Sequence, residues 1–306
     1  MTILVTGGSG FLGRHVLATL AGSPSRVLAL GRHRPEGCTA EDFVRADLDD
    51  ASALRRAVAA ASPDVVIHAA GKTPPAPSSA LYLANTRATV HLLDALLATG
   101  KPCRVVHAGS AAELGAVPVA CLPVGEDQPC RPTDAYGMSK WAASRMALAA
   151  PPPLEIVVAR LFNLVGPGAP RSVAFGRFAA MLSEPGPRGI TLTVGDLEAR
   201  RDFLDVRDAA EALVALAARG HAGLIYHVGT GTSRSVREGL AELVRLSGRD
   251  VVIDEEPARR GPSDSRADIR RISSHAGWSP RIAWERSLAD LWAEAKRGAT
   301  MGRRVA

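Results

Sequence analysis

Short apolar runs alternate with amphipathic stretches through the first half of the chain. The runs Thr2–Thr6, Arg26–Leu30, Phe43–Ala46, Val65–His68, Arg104–Ala108 and Glu155–Arg160 are rich in Val, Ile and Leu. Their length and continuous hydrophobicity predict strands buried on both faces. Helical periodicity lies between them, at Phe11–Ala21, Ala51–Ala61, Ala80–Thr99 and Tyr136–Ala149. Alternation of this kind predicts an α/β fold, a Rossmann doubly wound parallel sheet with right-handed crossovers. After about Gly166 the rhythm loosens into Pro- and Gly-rich stretches, Gly166–Pro170 and Glu184–Gly189. Short strands are expected at Thr191–Val194, Ile225–Val228 and Val251–Asp254, and helices at Val206–Arg219, Val236–Ser247 and Ser287–Arg297. Residues 1–165 are therefore read as the domain built on this sheet and 166–306 as mainly a smaller C-terminal lobe; the glycine turn described below makes the first a dinucleotide-binding domain and leaves the second as the substrate-binding lobe. Val206–Arg219 and a nearby strand are expected to return to the first domain.

Bulk properties narrow the class. A chain of 306 residues, 46% hydrophobic and 22% charged, suits an ordinary globular enzyme. No apolar run approaches the ~18 residues that span a bilayer, and no basic leader opens the chain, so a cytoplasmic protein without membrane contact is expected. Cys38, Cys103, Cys121 and Cys130 have neither CxxC pairing nor metal-ligand spacing, and are read as reduced thiols. No carboxylate or histidine cluster predicts a metal; His15, His91 and His227 sit inside regular patterns as packed or surface residues. Trp278, Trp284 and Trp292 are read as packing residues. The net charge of +6 comes from dispersed arginines with no aromatic-interleaved stripe, which argues against nucleic acid and for small anionic partners. Of 37 basic residues only four are lysines, at positions 72, 101, 140 and 296. Against that bias, Lys72 and Lys140 stand out as places where a compact, titratable ammonium could matter.

The clearest chemistry is at the start. Thr6-Gly7-Gly8-Ser9-Gly10-Phe11-Leu12-Gly13 follows the first strand and opens the first helix. Gly7 allows the tight turn, Gly10 lets backbone approach a pyrophosphate, and Gly13 lets helix and strand pack. With Phe11 and Leu12 they predict a dinucleotide seated on a helix N-terminus. The second strand ends Leu30-Gly31-Arg32-His33-Arg34, with no carboxylate for a ribose hydroxyl. Arg32, with Arg34, could pair with a 2′-phosphate, which favours NADP(H) over NAD(H); a solvated basic loop is the plainer alternative. Asp47, Leu48, Ala69, Ala70 and Gly71, after the third and fourth strands, are expected to line the adenine and ribose sides.

Tyr136-Gly137-Met138-Ser139-Lys140 opens a predicted helix. Positions i and i+4 share a face, so phenol and ammonium can enter one cleft. A nearby cation is expected to pull the phenol down from its usual pKa of ~10 and make it an acid/base near neutrality. Ser110 lies at the end of the fifth strand, on the edge where open α/β sheets bind ligands. A lone Tyr/Lys pair is a common surface pattern; glycine loop, strand-end serine and Tyr/Lys helix in this order are not.

In these residues the chain resembles the extended short-chain dehydrogenase/reductases that act on nucleotide-diphosphate sugars. TGGSGFLG (6–13), Asp47-Leu48, DVVIHAAG (64–71), Ser110, YGMSK (136–140), RLFNLVGPG (160–168), RRDFLDVRD (200–208) and AGWSPRI (276–282) carry the likeness over nearly the whole length. GSAAELG (109–115), FNLVGPG with the following FGRFAAML, and VGDLEARRDFLDVRD (194–208) are most similar to the GDP-4-keto-6-deoxy-D-mannose reductases. The resemblance implies that Ser110 binds the substrate oxygen, Tyr136 protonates it, and Lys140 holds the nicotinamide ribose and tunes Tyr136. It also implies that Asn163, Arg201 and Arg260 contact the sugar nucleotide. Arg260-Gly261-Pro262-Ser263-Asp264 carries an extra residue against the family's Arg-Pro-x-Asp, and Leu114 replaces a usual tyrosine. Dehydratases of the family place acids directly after the Ser/Thr; Ala111 and Ala112 stand here, with Glu113 one place too late. Lys72 matches no family position; a substrate contact and a solvated loop lysine are both open, the latter slightly favoured. The expected function is an NADPH-dependent reductase of an NDP-4-keto-6-deoxy-hexose. An NDP-sugar 4-epimerase with tightly bound NAD is the enzymatic alternative, and a non-catalytic NADP-binding regulator the non-enzymatic one. A homodimer through Ala80–Thr99 and Tyr136–Ala149 is expected by the same resemblance.

Overall fold

The computed structural model describes residues 1–256 and 264–302. Its first half runs β1 (Thr2–Thr6), α1 (Phe11–Leu20), β2 (Arg26–Gly31), β3 (Phe43–Arg45), α2 (Ala51–Ala61), β4 (Val65–His68), α3 (Ser78–Tyr82), α4 (Ala88–Leu97), β5 (Cys103–Ser110), α5 (Ala135–Leu148) and β6 (Leu154–Leu161). The second half runs β7 (Asn163–Val165), α6 (Ala174–Ser183), β8 (Gly189–Val194), β9 (Arg200–Asp205), α7 (Val206–Arg219), β10 (Ile225–Val228), β11 (Ser233–Ser235), α8 (Val236–Ser247), β12 (Asp250–Glu255), α9 (Arg270–Ala276) and α10 (Trp284–Gly302).

Seven strands form one sheet in the order β10-β6-β5-β4-β1-β2-β3, every pair parallel. The chain winds outward from β1 to β2 and β3, then restarts at β4 and winds the other way. Beyond the C-terminal ends of β1 and β4 the connections diverge and leave the crevice where doubly wound sheets take ligands. Both faces of the sheet are covered, which is why its strands are apolar throughout. Val5, Val16, Ile67, Val106, Val157, Leu213 and Val228 pack on the face of α1, α7 and α9. Leu4, Leu28, Val58, Val66, Leu92, Val105 and Ile156 pack on the face of α2, α4 and α5. Thus α7 and β10, from the second half of the chain, complete the large sheet.

A three-stranded sheet, β11-β9-β7, and a two-stranded sheet, β12-β8, form the remainder. Phe175, Phe178, Leu182, Leu192, Leu240 and Leu288 join α6, α8 and α10 into a third core. Trp278 is buried and donates its indole N–H to Asp208 O at 3.2 Å, while Trp284 and Trp292 pack against the third core. No described helix is long and apolar enough to cross a membrane.

Several elements depart from the sequence expectation. The helix expected over Ala80–Thr99 is interrupted by a π-helical turn, Leu83–Arg87, between α3 and α4. The helix α6 lies where no element was expected, and its phenylalanines serve the third core rather than a strand. The strands β7, β9 and β11 are three to six residues long and lack a readable alternation.

Candidate active site

The glycine turn sits where β1 meets α1, pressed against the loop after β4. Gly7 has φ +74°, and a Cβ there would stand 2.6 Å from Ala70 N. A Cβ on Gly13 would stand 2.0 Å from Gly7 O, so helix and turn touch through bare backbone. Gly10 differs. It is exposed, and a Cβ there would meet only Gly7 O, at 3.2 Å. No side chain caps α1. The turn therefore offers free N–H groups and an open approach, which fit a pyrophosphate. Phe11 and Leu12, the first residues of α1, are partly buried beside it.

Beyond β2, Arg32, His33 and Arg34 are exposed and Pro35 is buried. A Cβ on Gly8 would lie 3.1 Å from the Pro35 ring, so the arginine loop folds back onto the glycine turn. Asp47 and Leu48 follow β3 on the same side; Asp47 accepts from Asp49 N at 3.1 Å, and Leu48 O bonds the His91 ring at 3.0 Å.

The loop Ala69–Gly71 is held from beneath by a directional chain of hydrogen bonds. Ala70 N–H donates to Thr6 Oγ1 at 3.3 Å, and Thr6 Oγ1 meets His68 Nδ1 at 2.7 Å. His68 Nε2 meets Thr89 Oγ1 at 3.0 Å, and Thr89 donates to Asn85 O at 2.6 Å. The one Thr89 proton is spent on the carbonyl, so Nε2 carries a hydrogen and Nδ1 accepts from Thr6. Burial, then the charge of Lys140, holds His68 neutral, down to about 3. His107 lies beside it, ring centroids 5.4 Å apart, and is pushed well below the usual histidine range by burial, with Lys140 and His68 adding to the effect.

Asn85, in the π turn, was missed by sequence reasoning. Its amide accepts from Lys72 N at 2.7 Å and donates to Lys72 O at 3.0 Å and Ser139 Oγ at 2.9 Å. It ties the loop after β4 to α5, and a Cβ on Gly71 would meet its Oδ1 at 2.8 Å. The available signal was a lone amide within an apolar helical pattern. Lys72 itself is exposed, its backbone fixed and its side chain at the surface.

The three expected reacting groups surround the crevice. Asp134 caps α5, accepting from Gly137 N at 2.7 Å, and places Tyr136 and Lys140 on the first turns. Ser110 ends β5 and caps the short 3₁₀ turn Ala111–Glu113, accepting from Ala112 N at 3.2 Å. Its hydroxyl faces the Tyr136 phenol closely enough to lower that group's pKa. Lys140 is buried and donates to Ala108 O at the end of β5. Burial lowers its ammonium to about 8, against the raising effect of Glu113.

One expectation needs correction. Lys140 was expected to pull Tyr136 down, but the phenol is raised above its ordinary value. Burial is the main cause; the Ser110 hydroxyl opposes it, and the charges of Glu113 and Asp134 raise it further. Sharing a helix face does not fix where a long side chain ends, and the ammonium here turns to the β5 carbonyl.

Asn163 and Arg201 lie together on the three-stranded sheet. Asn163 Nδ2 reaches Asp202 O at 3.4 Å. Arg201 donates to Arg200 O at 2.7 Å, and burial lowers its pKa against Asp196 and Asp264. Asp202 anchors the neighbouring loops, accepting from Thr230 N at 2.7 Å, Gly231 N at 2.9 Å and Ala267 N at 3.1 Å. Arg260 lies outside the described residues.

Residues 3–229 match the model of the NAD dependent epimerase/dehydratase family. The dTDP-6-deoxy-L-talose 4-dehydrogenase (NAD(P)(+)) of Kitasatospora kifunensis is 33% identical over 300 residues, covering 95% of this chain and 94% of the relative. The GDP-6-deoxy-D-mannose reductase of Pseudomonas aeruginosa is 33% identical over 302 residues, covering 94% of each. The solved structure of RMD from Pseudomonas aeruginosa complexed with NADPH superposes with a TM-score of 0.82 at 29% identity, covering 97% of this chain and 99% of that one.

Proposed function

The chain belongs to the NAD dependent epimerase/dehydratase family, and from that premise we propose an NADPH-dependent reductase of a nucleotide-diphosphate 4-keto-6-deoxy-hexose. The observation that carries this is that the end of β5 and the first turns of α5 bring Ser110, Tyr136 and Lys140 to one end of the sheet, with the Ser110 hydroxyl acting on the Tyr136 phenol and Lys140 buried on Ala108 O. Two relatives whose names place their chemistry on 6-deoxy sugars support the substrate class. Arg32 at the end of β2, with no carboxylate beside it, supports NADP(H) over NAD(H).

In this reading Gly7, Gly10, Phe11, Leu12 and Gly13 hold the pyrophosphate, and Arg32 the 2′-phosphate. Asp47, Leu48, Ala69, Ala70 and Gly71 line the adenine and ribose sides. A bound nicotinamide supplies the hydride. Ser110 hydrogen-bonds the ketone oxygen. Tyr136, whose raised pKa keeps it protonated through neutrality, donates a proton to that oxygen. Lys140, held on Ala108 O, orients the ribose hydroxyls. Asn163 and Arg201 hold the sugar nucleotide, Arg201 by its forked geometry toward phosphate. Residues 1–165 with α7 and β10 carry the cofactor, and the remainder of 166–306 the sugar nucleotide. Exposed Tyr82, Leu83, Met138 and Met146 on the α3–α4 and α5 side support a homodimer through those helices.

The test is NADPH oxidation with 4-keto-6-deoxy-hexoses on GDP, dTDP and UDP, with product stereochemistry by NMR. Consumption of NADPH with one of them is the expected result. No oxidation, together with epimer interconversion by protein that keeps NAD through gel filtration, overturns the reading in favour of an epimerase.

A further inference from the structure

Glu113 is a fully buried charge that the reaction above does not use. It stands one residue late for a dehydratase acid, and the fold turns it away from the crevice. A Cβ on Gly109 would lie 2.6 Å from Glu113 Oε1 and 3.2 Å from Ser144 Oγ, so the bare strand makes room for the carboxylate between sheet and α5. There it accepts from Ser110 N at 2.8 Å, Ser144 Oγ at 2.9 Å and Arg160 Nε at 3.1 Å. Both charged side chains are sealed, at 0% and 2% exposure.

Arg160 is fully engaged in turn. It meets His227 Nε2 at 3.1 Å and Cys130 Sγ at 3.2 Å. His227 Nδ1 bonds Val124 O at 3.0 Å, so Nδ1 carries the hydrogen and Nε2 accepts from the guanidinium. Burial, with Arg160 next, holds His227 neutral, at about 3. The result is a satisfied, rigid plug with one end bonded to the backbone of Ser110. A buried ion pair adds little net stability over an apolar pair of similar volume. What this one adds is position and field.

We propose that Glu113, braced by Arg160, is a positioning residue of the reaction: its carboxylate fixes the Ser110 backbone and sets the electrostatic environment of Tyr136 and Lys140. The proposal rests on reading Ser110, Tyr136 and Lys140 as the reacting set. The charge of Glu113 raises the pKa of both Tyr136 and Lys140. The other groups facing this region are Asp134 before α5, Cys130 in the preceding loop, Arg160 of β6 and His227 of β10. His68 and His107, both neutral, face Lys140 from β4 and β5. Reduction needs a proton on Tyr136, so a negative charge beside it extends the active range to higher pH.

The chain has only three tyrosines, so ¹³Cζ-tyrosine NMR resolves Tyr136 from Tyr82 and Tyr226. Glu113→Gln keeps an oxygen for Ser110 N–H and removes the charge. Because it strands Arg160, the double variant Glu113→Gln, Arg160→Gln is titrated in parallel. Tyr136 is expected to titrate at lower pH than in the wild type, with Tyr82 and Tyr226 unmoved. Glu113→Leu with Arg160→Leu removes brace and charge together. Its kcat is expected to fall about a hundredfold with KM little changed, the cost of an ångström-scale displacement of a reacting group. An unshifted Tyr136 in a folded variant that binds NADPH as wild type overturns the electrostatic part. A Leu/Leu variant with kcat within about twofold of wild type overturns the positioning part, since misplacement of this kind is costly. The titration needs no substrate, so failure of the reductase reading appears only in turnover.

Discussion

The three glycines of the first turn do different work, and single methyl groups separate their roles. Gly13→Ala puts a Cβ 2.0 Å from Gly7 O, 2.6 Å from Gly7 C and 2.9 Å from Gly8 Cα, against the 3.4 Å at which ordinary contact begins. All three neighbours are backbone, so the turn must retreat from α1 by more than an ångström. Overpacking of this kind costs about 1–3 kcal/mol, or several degrees of Tm at about 2–4 °C per kcal/mol. The same retreat spoils the N–H cradle, so cofactor affinity falls as well. Gly10→Ala adds a Cβ whose only neighbour is Gly7 O at 3.2 Å, and Gly10 has φ −83°, where alanine is unstrained. The free protein should keep its Tm within about 1 °C of wild type, in keeping with substitutions that touch nothing buried. The methyl group nevertheless occupies the approach of the pyrophosphate, so NADPH binding should collapse. Differential scanning fluorimetry with and without NADPH, with Kd by calorimetry, measures both quantities. The reasoning fails if Gly10→Ala binds NADPH like wild type, or if Gly13→Ala is as stable and as tightly binding as wild type.

Other outcomes follow from the same geometry. Tyr136→Phe should lower kcat by about 10²–10⁴, the usual worth of a proton donor, while NADPH-induced stabilisation stays intact; undiminished turnover would revive a non-catalytic binding protein. Arg32→Ala should weaken NADPH by about ten- to a hundredfold, the loss of a charge-assisted contact, and leave NADH unchanged; equal losses for both cofactors would place the arginine elsewhere. His68 and His227 both titrate near 3 in the fold against 6.5 unfolded, so the unfolded chain takes up more protons. Stability from their burial is complete above about 6.5 and drains away toward about 3; by pH 5 each costs roughly 2 kcal/mol. Tm measured from pH 7.5 to 5 should fall accordingly, and a flat profile would show that the imidazoles are not buried neutral.

The glycine turn, the β/α alternation and the Ser110, Tyr136 and Lys140 positions were readable because each is a local pattern: bare residues at a turn, continuous apolar strands, one helical face. What escaped depends on partners far along the chain. Asn85 matters through Lys72 and Ser139, which no window around it contains. Glu113 is only an acid out of place until Arg160, 47 residues later, is seen to hold it. Lys140 shares a face with Tyr136, yet its ammonium is claimed by Ala108 O on a strand, which helical spacing cannot report. The strands β7 and β9 are legible only as partners of each other, since their pairing of Asn163 with Phe203 spans the loops between them.

The return of α7 and β10 to the large sheet sets an order of events during synthesis. Until residues 225–228 have been made, β6 is an open edge with its hydrogen-bonding groups unmatched on one side. Until residues 206–219 have been made, α1 lacks the helix that packs along it. The N-terminal half therefore waits, nearly finished, while the ribosome translates the intervening segments of the other lobe. A fragment ending at residue 165 would not be a smaller cofactor-binding protein. It would carry a bare parallel edge and an uncovered apolar face, the two features that draw unfinished chains into aggregates.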